Sequence, residues 1–295
     1  MKPSQPVLAV MSLLLAGSTT WASPLARQSI TTPLKPRAND YNCKSASHPN
    51  PVVLFHGLIA NQWDDLIAIQ EYLERYSFCT YTLTYGEYAE FPIVGGLKSI
   101  EDSAQVLGNF IFQVQSLTGA SKVDIVGHSE GGFMSLYVPK FIDGISEIVD
   151  NIVAIAPPTH GTDWGKIIDV LNYLGNDTTE QGLEALKTLG CPSCEDMTIG
   201  GPAVVALDNG PIRQGHNNIL VIATLTDEIV TPPSTAFIYE DGVTNRYLQD
   251  RCPLDLSAHI GMVFDANTWA EVHNWLDPTF PLPPICSISS LPVKE

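Results

Sequence analysis

Lys122-Val-Asp-Ile-Val-Gly-His-Ser-Glu-Gly-Gly-Phe-Met-Ser135 decides how this chain is read. At its centre, Gly127-His128-Ser129-Glu130-Gly131 has the form G-x-S-x-G. A β-branched run precedes it (Val123, Ile125, Val126), and an apolar helix-like run follows (Phe133, Met134, Leu136, Tyr137). Strand, sharp turn and helix in that order are the context of a nucleophile elbow. The turn strains its central residue and demands small neighbours, which Gly127 and Gly131 supply. Ser129 would then stand at a helix N-terminus, where free N–H groups and the macrodipole favour negative charge. A glycine-rich strand-to-helix link without chemistry would show the same residues, so the motif gains weight only with partners elsewhere.

The rest of the chain bounds what those partners can be. Its 295 residues make one large α/β domain. At 44% hydrophobic and 16% charged residues, a sizeable core is expected. A net charge of −17 repels phosphate backbones and anionic headgroups, which excludes nucleic acid as a partner but not a neutral oil surface. The N-terminus reads as a signal peptide, residues 1–22. Lys2 starts it, Val7 to Gly17 is an apolar stretch too short to span a bilayer, and Thr20-Trp-Ala22 offers small residues at the cleavage site. Residues 23–40, rich in Pro, Ser and Thr, read as a loose arm or pro-segment. The expectation is a secreted, extracellular domain over 41–295 with no transmembrane segment.

Six cysteines fit an oxidising route. Spacing alone leaves their pairing open; the simplest scheme joins sequence neighbours as Cys43–Cys79, Cys191–Cys194 and Cys252–Cys286. Cys191-Pro-Ser-Cys194 also has the form of half a zinc site, but no second C-x-x-C exists to complete it.

Along the chain, Pro51 to Phe55, Phe78 to Thr84, Asn151 to Ala156, Asn218 to Thr224 and Asn245 to Gln249 read as strands besides the elbow strand. Helical spacing appears over Asn61 to Tyr76, Ile100 to Leu117 and Asp265 to Leu276. This rhythm predicts a mostly parallel central sheet with helices on both faces. Asp163 to Gly210 breaks the rhythm and is the natural place for a cap or lid over a pocket, with an apolar face able to touch lipid transiently. Asn176-Asp-Thr178 is a glycosylation sequon. Tyr85, Tyr88 and Phe91 lie in a loop where packing is the commoner role than pocket lining.

The elbow architecture runs Ser…Asp/Glu…His along the chain. Of seven histidines, only His259 and His273 follow Asp227, an acid just past a late strand. His273 falls inside the closing helix, whereas His259 lies in a loop at the sheet edge. Ser129, Asp227 and His259 are therefore the candidate catalytic residues, with Glu228 and Asp255 as alternate acids. His56-Gly57-Leu58, directly after the first strand, can offer the N–H of Leu58 to an oxyanion, with that of Glu130 as the second donor. His56 and His160 read as loop histidines. Such a site needs no metal or organic cofactor.

These residues resemble the secreted lipase class 2 family of α/β hydrolases, actinomycete lipases and their fungal relatives. The likeness runs over roughly Asp40 to Asp277. It rests on Pro51-Val-Val-Leu-Phe-His-Gly-Leu-Ile-Ala-Asn61, the elbow stretch, Ala156-Pro-Pro-Thr-His-Gly-Thr162, Thr226-Asp-Glu-Ile-Val-Thr-Pro232 and Leu248-Gln-Asp-Arg-Cys-Pro-Leu-Asp-Leu-Ser-Ala-His-Ile-Gly261. The resemblance implies an α/β-hydrolase fold with a cap insertion and a serine ester hydrolase, lipase or esterase, acting on small-molecule or lipid esters. It also implies Ser129, Asp227 and His259 as triad and cysteines paired much as in the simplest scheme. Two departures stand out. Glu130 occupies a position where the family commonly has Gln, which would put a carboxylate beside the site. The Asp163–Gly210 region matches weakly apart from C-P-x-C, so substrate preference does not carry over. A lactonase or acyltransferase would use the same triad, and a non-catalytic α/β-hydrolase-like binding protein is the reading from another class. An intact Ser–Asp–His order argues against the last.

Overall fold

The structure, a computed structural model, describes residues 39–163, 184–186 and 188–286, all within the unit Pro36–Glu295. The expected signal peptide (1–22), the arm (23–40) save its last two residues, the Asn176 sequon and the first half of the cap region lie outside the described residues.

Six strands form one sheet: β1 Val52–Phe55, β2 Thr80–Thr82, β3 Val123–His128, β4 Val149–Ile155, β5 Asn218–Ala223 and β6 Val243–Tyr247, in the order β2-β1-β3-β4-β5-β6. Every neighbouring pair is parallel. All residues of β1 and β3 are buried, because a parallel sheet is covered on both faces and its inner strands read as continuous apolar runs. Alternation along each strand sorts those side chains into two cores. Val53, Phe55 and Ile125 face one core with α2 (Ile100–Thr118) and α3 (Glu130–Phe141). Val52, Leu54 and Val126 face the other with α1 (Ile67–Arg75) and the closing helix at Ala266–Leu276.

Local chemistry sets the helix ends. The Ser99 side chain accepts from the N–H of Asp102 at the start of α2, and Gly119 closes that helix at φ 69°. Asp265 caps the closing helix by accepting from Thr268 N–H. The helical spacing over Asn61 to Tyr76 overstates α1, which begins only at Ile67. Asn61 N–H donates to Asp64 Oδ1 (2.9 Å) and Trp63 N–H donates to Asn61 Oδ1 (2.8 Å). Short polar side chains that bond nearby backbone compete with helix, and here they win the first turn. The last strand ends at Tyr247, two residues short of Gln249, because Leu248–Asp250 turns as a 3-10 helix.

The three disulfides are the sequence-neighbour pairs Cys43–Cys79, Cys191–Cys194 and Cys252–Cys286. Cys191 and Cys194 are thus joined to each other and hold no metal. From Cys191 onward the cap region is built into the domain: α4 (Ile145–Ile148) precedes β4, and α5 (Pro192–Asp196) and α6 (Pro202–Asp208) follow it, with Met197, Val204 and Leu207 in the first core. The Asp196 carboxylate accepts from the N–H of Ile100, and Ser193 donates to the Gly96 carbonyl. The closing helix Ala266–Leu276 is α7.

Candidate active site

β3 delivers Ser129 at the C-terminal edge of the sheet, between β3 and α3. Its backbone sits at φ 55°, ψ −119°, a strained conformation that turns the chain back on itself. The N–H of Ser129 donates to Ile155 O, which ties the turn to β4. Gly127 and Gly131 permit it: a Cβ on Gly127 would strike the Gly131 carbonyl, and one on Gly131 would strike the carbonyl of Phe55 in β1.

β5 delivers the candidate acid and the chain beyond β6 delivers the candidate base. Asp227 follows Ala223 in a loop where its Oδ1 accepts from the N–H groups of Ile229 (2.9 Å) and Val230 (2.8 Å). His259 starts the 3-10 turn Ile260–Phe264. Its Nδ1 lies 2.9 Å from Asp227 Oδ2 and its Nε2 lies 2.9 Å from Ser129 Oγ. In the neutral tautomer Nδ1–H donates to the carboxylate and Nε2 accepts the serine proton. The two loops are stitched side by side, since the Thr224 and Thr226 hydroxyls both donate to Ser257 O. The alternate acids stand elsewhere. Glu228 Oε2 accepts from the backbone N–H of His259 (3.0 Å), so it holds the base's main chain rather than its ring. Asp255 accepts from the N–H of Ser257.

Burial alone would push the Asp227 carboxyl up, yet His259 and the two N–H donors hold it below the usual carboxylate range. Burial likewise pushes His259 down, but Asp227, then Glu228 and Asp65, outweigh it and raise the imidazole above 6.5. A general base must be neutral to act. The acid limb of kcat/KM is therefore expected to have its midpoint above pH 6.5 and to reach its plateau only on the alkaline side. A pH–rate profile on a soluble ester checks this; a midpoint below 6.5 contradicts it.

The loop after β1 lies against Ser129: a Cβ on Gly57 would stand 3.2 Å from Ser129 Cβ. His56 Nδ1–H donates to Gly57 O (2.8 Å), and His56 Nε2 accepts from Tyr85 N–H (3.2 Å). Burial pushes this ring down to about 4, so it stays neutral. The Gly57 carbonyl and the Leu58 N–H share one planar peptide and point in opposite senses. Fixing the carbonyl therefore fixes the direction of the N–H.

Glu130, the expected carboxyl beside the site, directly follows Ser129 at the start of α3. Its side chain is fully buried, packed over Gly96. Tyr85 Oη donates its one proton to His56 O (2.8 Å), which leaves the Glu130 oxygens without a donor. Burial pushes the Glu130 carboxyl well above its usual range, and the Asp196 carboxylate adds to this. Burial thus disfavours a charge on the Glu130 carboxyl beside Ser129.

Among the remaining sequence candidates, Tyr85 is buried and stacked on His56 (4.3 Å), while Tyr88 and Phe91 are half-buried against the core. His160 is a loop tie, with Nδ1 2.7 Å from Asp208 and Nε2–H donating to Phe237 O. His273 is packed in α7 among Tyr72, Tyr76 and Phe78. The structure adds Asp65 and His128, which the sequence reading passed over. Asp65 accepts from Gly57 N–H at 2.6 Å and from His128 Nδ1 at 3.0 Å. No sequence pattern links residues so far apart.

A profile of the lipase (class 2) family matches residues 49–174, which hold Gly57, Leu58 and the whole elbow. That span is similar to the class 2 lipases. A triacylglycerol lipase of Burkholderia plantarii is 30% identical over 171 residues, 56% of this chain and 42% of that protein. One of Pseudarthrobacter phenanthrenivorans is 29% identical over 127 residues, 41% of this chain and 37% of its own length. The chain thus spans less than half the length of these curated relatives. Among solved structures, Aspergillus fumigatus lipase B aligns with a TM-score of 0.59 at 18% identity, over 80% of this chain and 54% of that one. The mature Bacillus licheniformis lipase BlEst2 aligns at 0.56 and 15%, over 79% and 94%. Both likenesses concern the fold, an α/β-hydrolase sheet.

Proposed function

We propose that the chain is a serine carboxylic-ester hydrolase, a lipase or esterase, working through an acyl-enzyme. The observation that carries this reading is the unbroken line from Ser129 Oγ through His259 to Asp227, each link 2.9 Å long. Ser129 attacks the ester carbonyl as His259 takes its proton. Asp227 holds the imidazole in the right tautomer and stabilises the imidazolium. The tetrahedral oxyanion accepts from the N–H groups of Leu58 and Glu130, and each such donor is worth roughly 3–4 kcal/mol in the transition state. His259 returns the proton to the departing alkoxide, and water repeats the sequence on the acyl-enzyme.

The names of the relatives, triacylglycerol lipases, support an ester of this class as substrate. Secretion is supported by three disulfides and the signal-like start. Transient contact with a lipid surface is supported by Leu225, Leu254 and Leu256, all exposed on the loops that carry Asp227 and His259.

The test is cleavage of p-nitrophenyl esters from acetate to palmitate, with labelling by a serine-reactive phosphonate. Cleavage extending to palmitate and rising above the solubility limit marks a lipase. Cleavage confined to short chains marks an esterase. Folded protein that neither cleaves nor is labelled at Ser129 overturns the proposal.

A further inference from the structure

We propose that Asp65 and His128 form a second acid–histidine pair that positions the active site, joining the oxyanion loop, the nucleophile elbow and the main chain of His259; this role rests on the hydrolase reading above. Three contacts carry it. Asp65 Oδ2 accepts from the N–H of Gly57 at 2.6 Å, one residue before the Leu58 donor. Both Asp65 oxygens lie within 3.1 Å of His128 Nδ1, one residue before the nucleophile. The far nitrogen, His128 Nε2, lies 3.2 Å from the carbonyl oxygen of His259. A carboxylate and a carbonyl only accept, so the ring nitrogen of His128 that carries a proton donates it to the acceptor it faces.

Asp65 and His128 thus touch the main chain of the loop after β1 and of His259, and His128 adjoins Ser129 in the chain. Gly57 is held at both ends, its N–H by Asp65 and its carbonyl by His56. His259 is held at both ends of its own main chain, its N–H by Glu228 and its carbonyl by His128. The pair is shielded from water, with side-chain exposures of 8% for Asp65 and 3% for His128. Burial opposes ionising Asp65, but His128 and the Gly57 N–H hold its carboxyl below the usual range. Its charge also reaches His259, whose ring lies 5.0 Å from that of His128. The charged and titratable groups facing His259 are Asp227, Glu228, Asp65 and His128.

A packing role alone would cost stability. A positioning role costs turnover, because small misplacements of reacting groups cost up to about 100-fold. The test is Asp65→Asn, which keeps the shape and one acceptor but drops the charge. The plateau kcat on p-nitrophenyl butyrate is expected to fall about 10- to 100-fold with KM within about threefold. The acid limb should move to lower pH, since removing a nearby negative charge disfavours the imidazolium. His128→Gln, whose amide can still donate to the His259 carbonyl, should keep more kcat than His128→Leu, and this comparison decides the matter if Asp65→Asn does not fold. A folded Asp65→Asn with unchanged kcat and acid limb, a loss that falls wholly on KM, or equal losses in the two His128 variants would overturn the proposal. NMR titration of the His259 ring separates this from failure of the hydrolase reading. A lower midpoint in Asp65→Asn supports the pair even in a protein that cleaves no ester, and an unmoved midpoint counts against it.

Discussion

Ser129→Ala is expected to lower kcat by about 10⁶-fold while leaving KM nearly unchanged. The magnitude follows from triads acting as a unit: in subtilisin, removing the serine alone costs about as much as removing all three members. Here Ser129 Oγ meets His259 Nε2 and makes no other hydrogen bond found among the described residues. Its loss therefore removes the attacking atom without opening the structure. What survives is catalysis by the Leu58 and Glu130 donors and by binding, roughly 10³–10⁴ over water. Thermal unfolding should change little, because alanine at φ 55° is as strained as serine there. Ser129→Gly, free of that strain, should be equally inactive yet about 1 kcal/mol or more stabler. Measured kcat, phosphonate labelling and melting curves of the pair check the prediction; an alanine variant within tenfold of wild type would remove Ser129 from the mechanism.

Gly131→Ala is expected to be, with Gly127→Ala, among the most damaging single methyl groups at the described glycines. A Cβ there would overlap the carbonyl of Phe55, in backbone that the sheet cannot move cheaply. Overpacking usually costs about 1–3 kcal/mol when side chains can yield. Here the obstacle is the end of β1, so about 3 kcal/mol or more is expected, a large share of a domain's typical 5–15 kcal/mol. Gly119→Ala is the matched control. That glycine has φ 69° but no atom within 4 Å of an added Cβ, so it should cost only about 1 kcal/mol, the conformational share. Chemical denaturation of the two variants separates space from backbone conformation. Equal losses would mean that the approach of β1 to the elbow is looser than described.

The elbow and the strand rhythm were legible because they are local. Val123 to Val126 alternate between two cores, and the glycines beside Ser129 have one steric reason to be there. The order of Asp227 and His259 along the chain singled out the same side chains that lie within 2.9 Å links of one another. What could not be read depends on who is buried under whom. Glu130 looks like a charge in sequence, yet its burial against Gly96 raises its carboxyl well above the usual range. Glu228 sits beside Asp227 and competes with it on paper, yet one step of backbone turns it toward the main chain of His259. The false start of α1 had a local signal, Asn61 and Asp64, that apolar spacing outweighed. The Asp65–His128 contact spans 63 residues and leaves no pattern in the sequence.

The sheet order described above makes the site an all-or-none object. Gly57 and Leu58 hang from β1, Ser129 from β3, Asp227 from β5, and His259 arrives only after β6, at the far edge. No contiguous half of the sheet holds more than part of this set. For the proposed hydrolase, activity would be a fuse wired through the whole strand order: a species whose last strand has not docked holds Ser129 without His259 beside it. Recovery of turnover during refolding should lag the return of helix signal and coincide with the slowest structural phase, which makes the enzyme its own reporter of a finished fold.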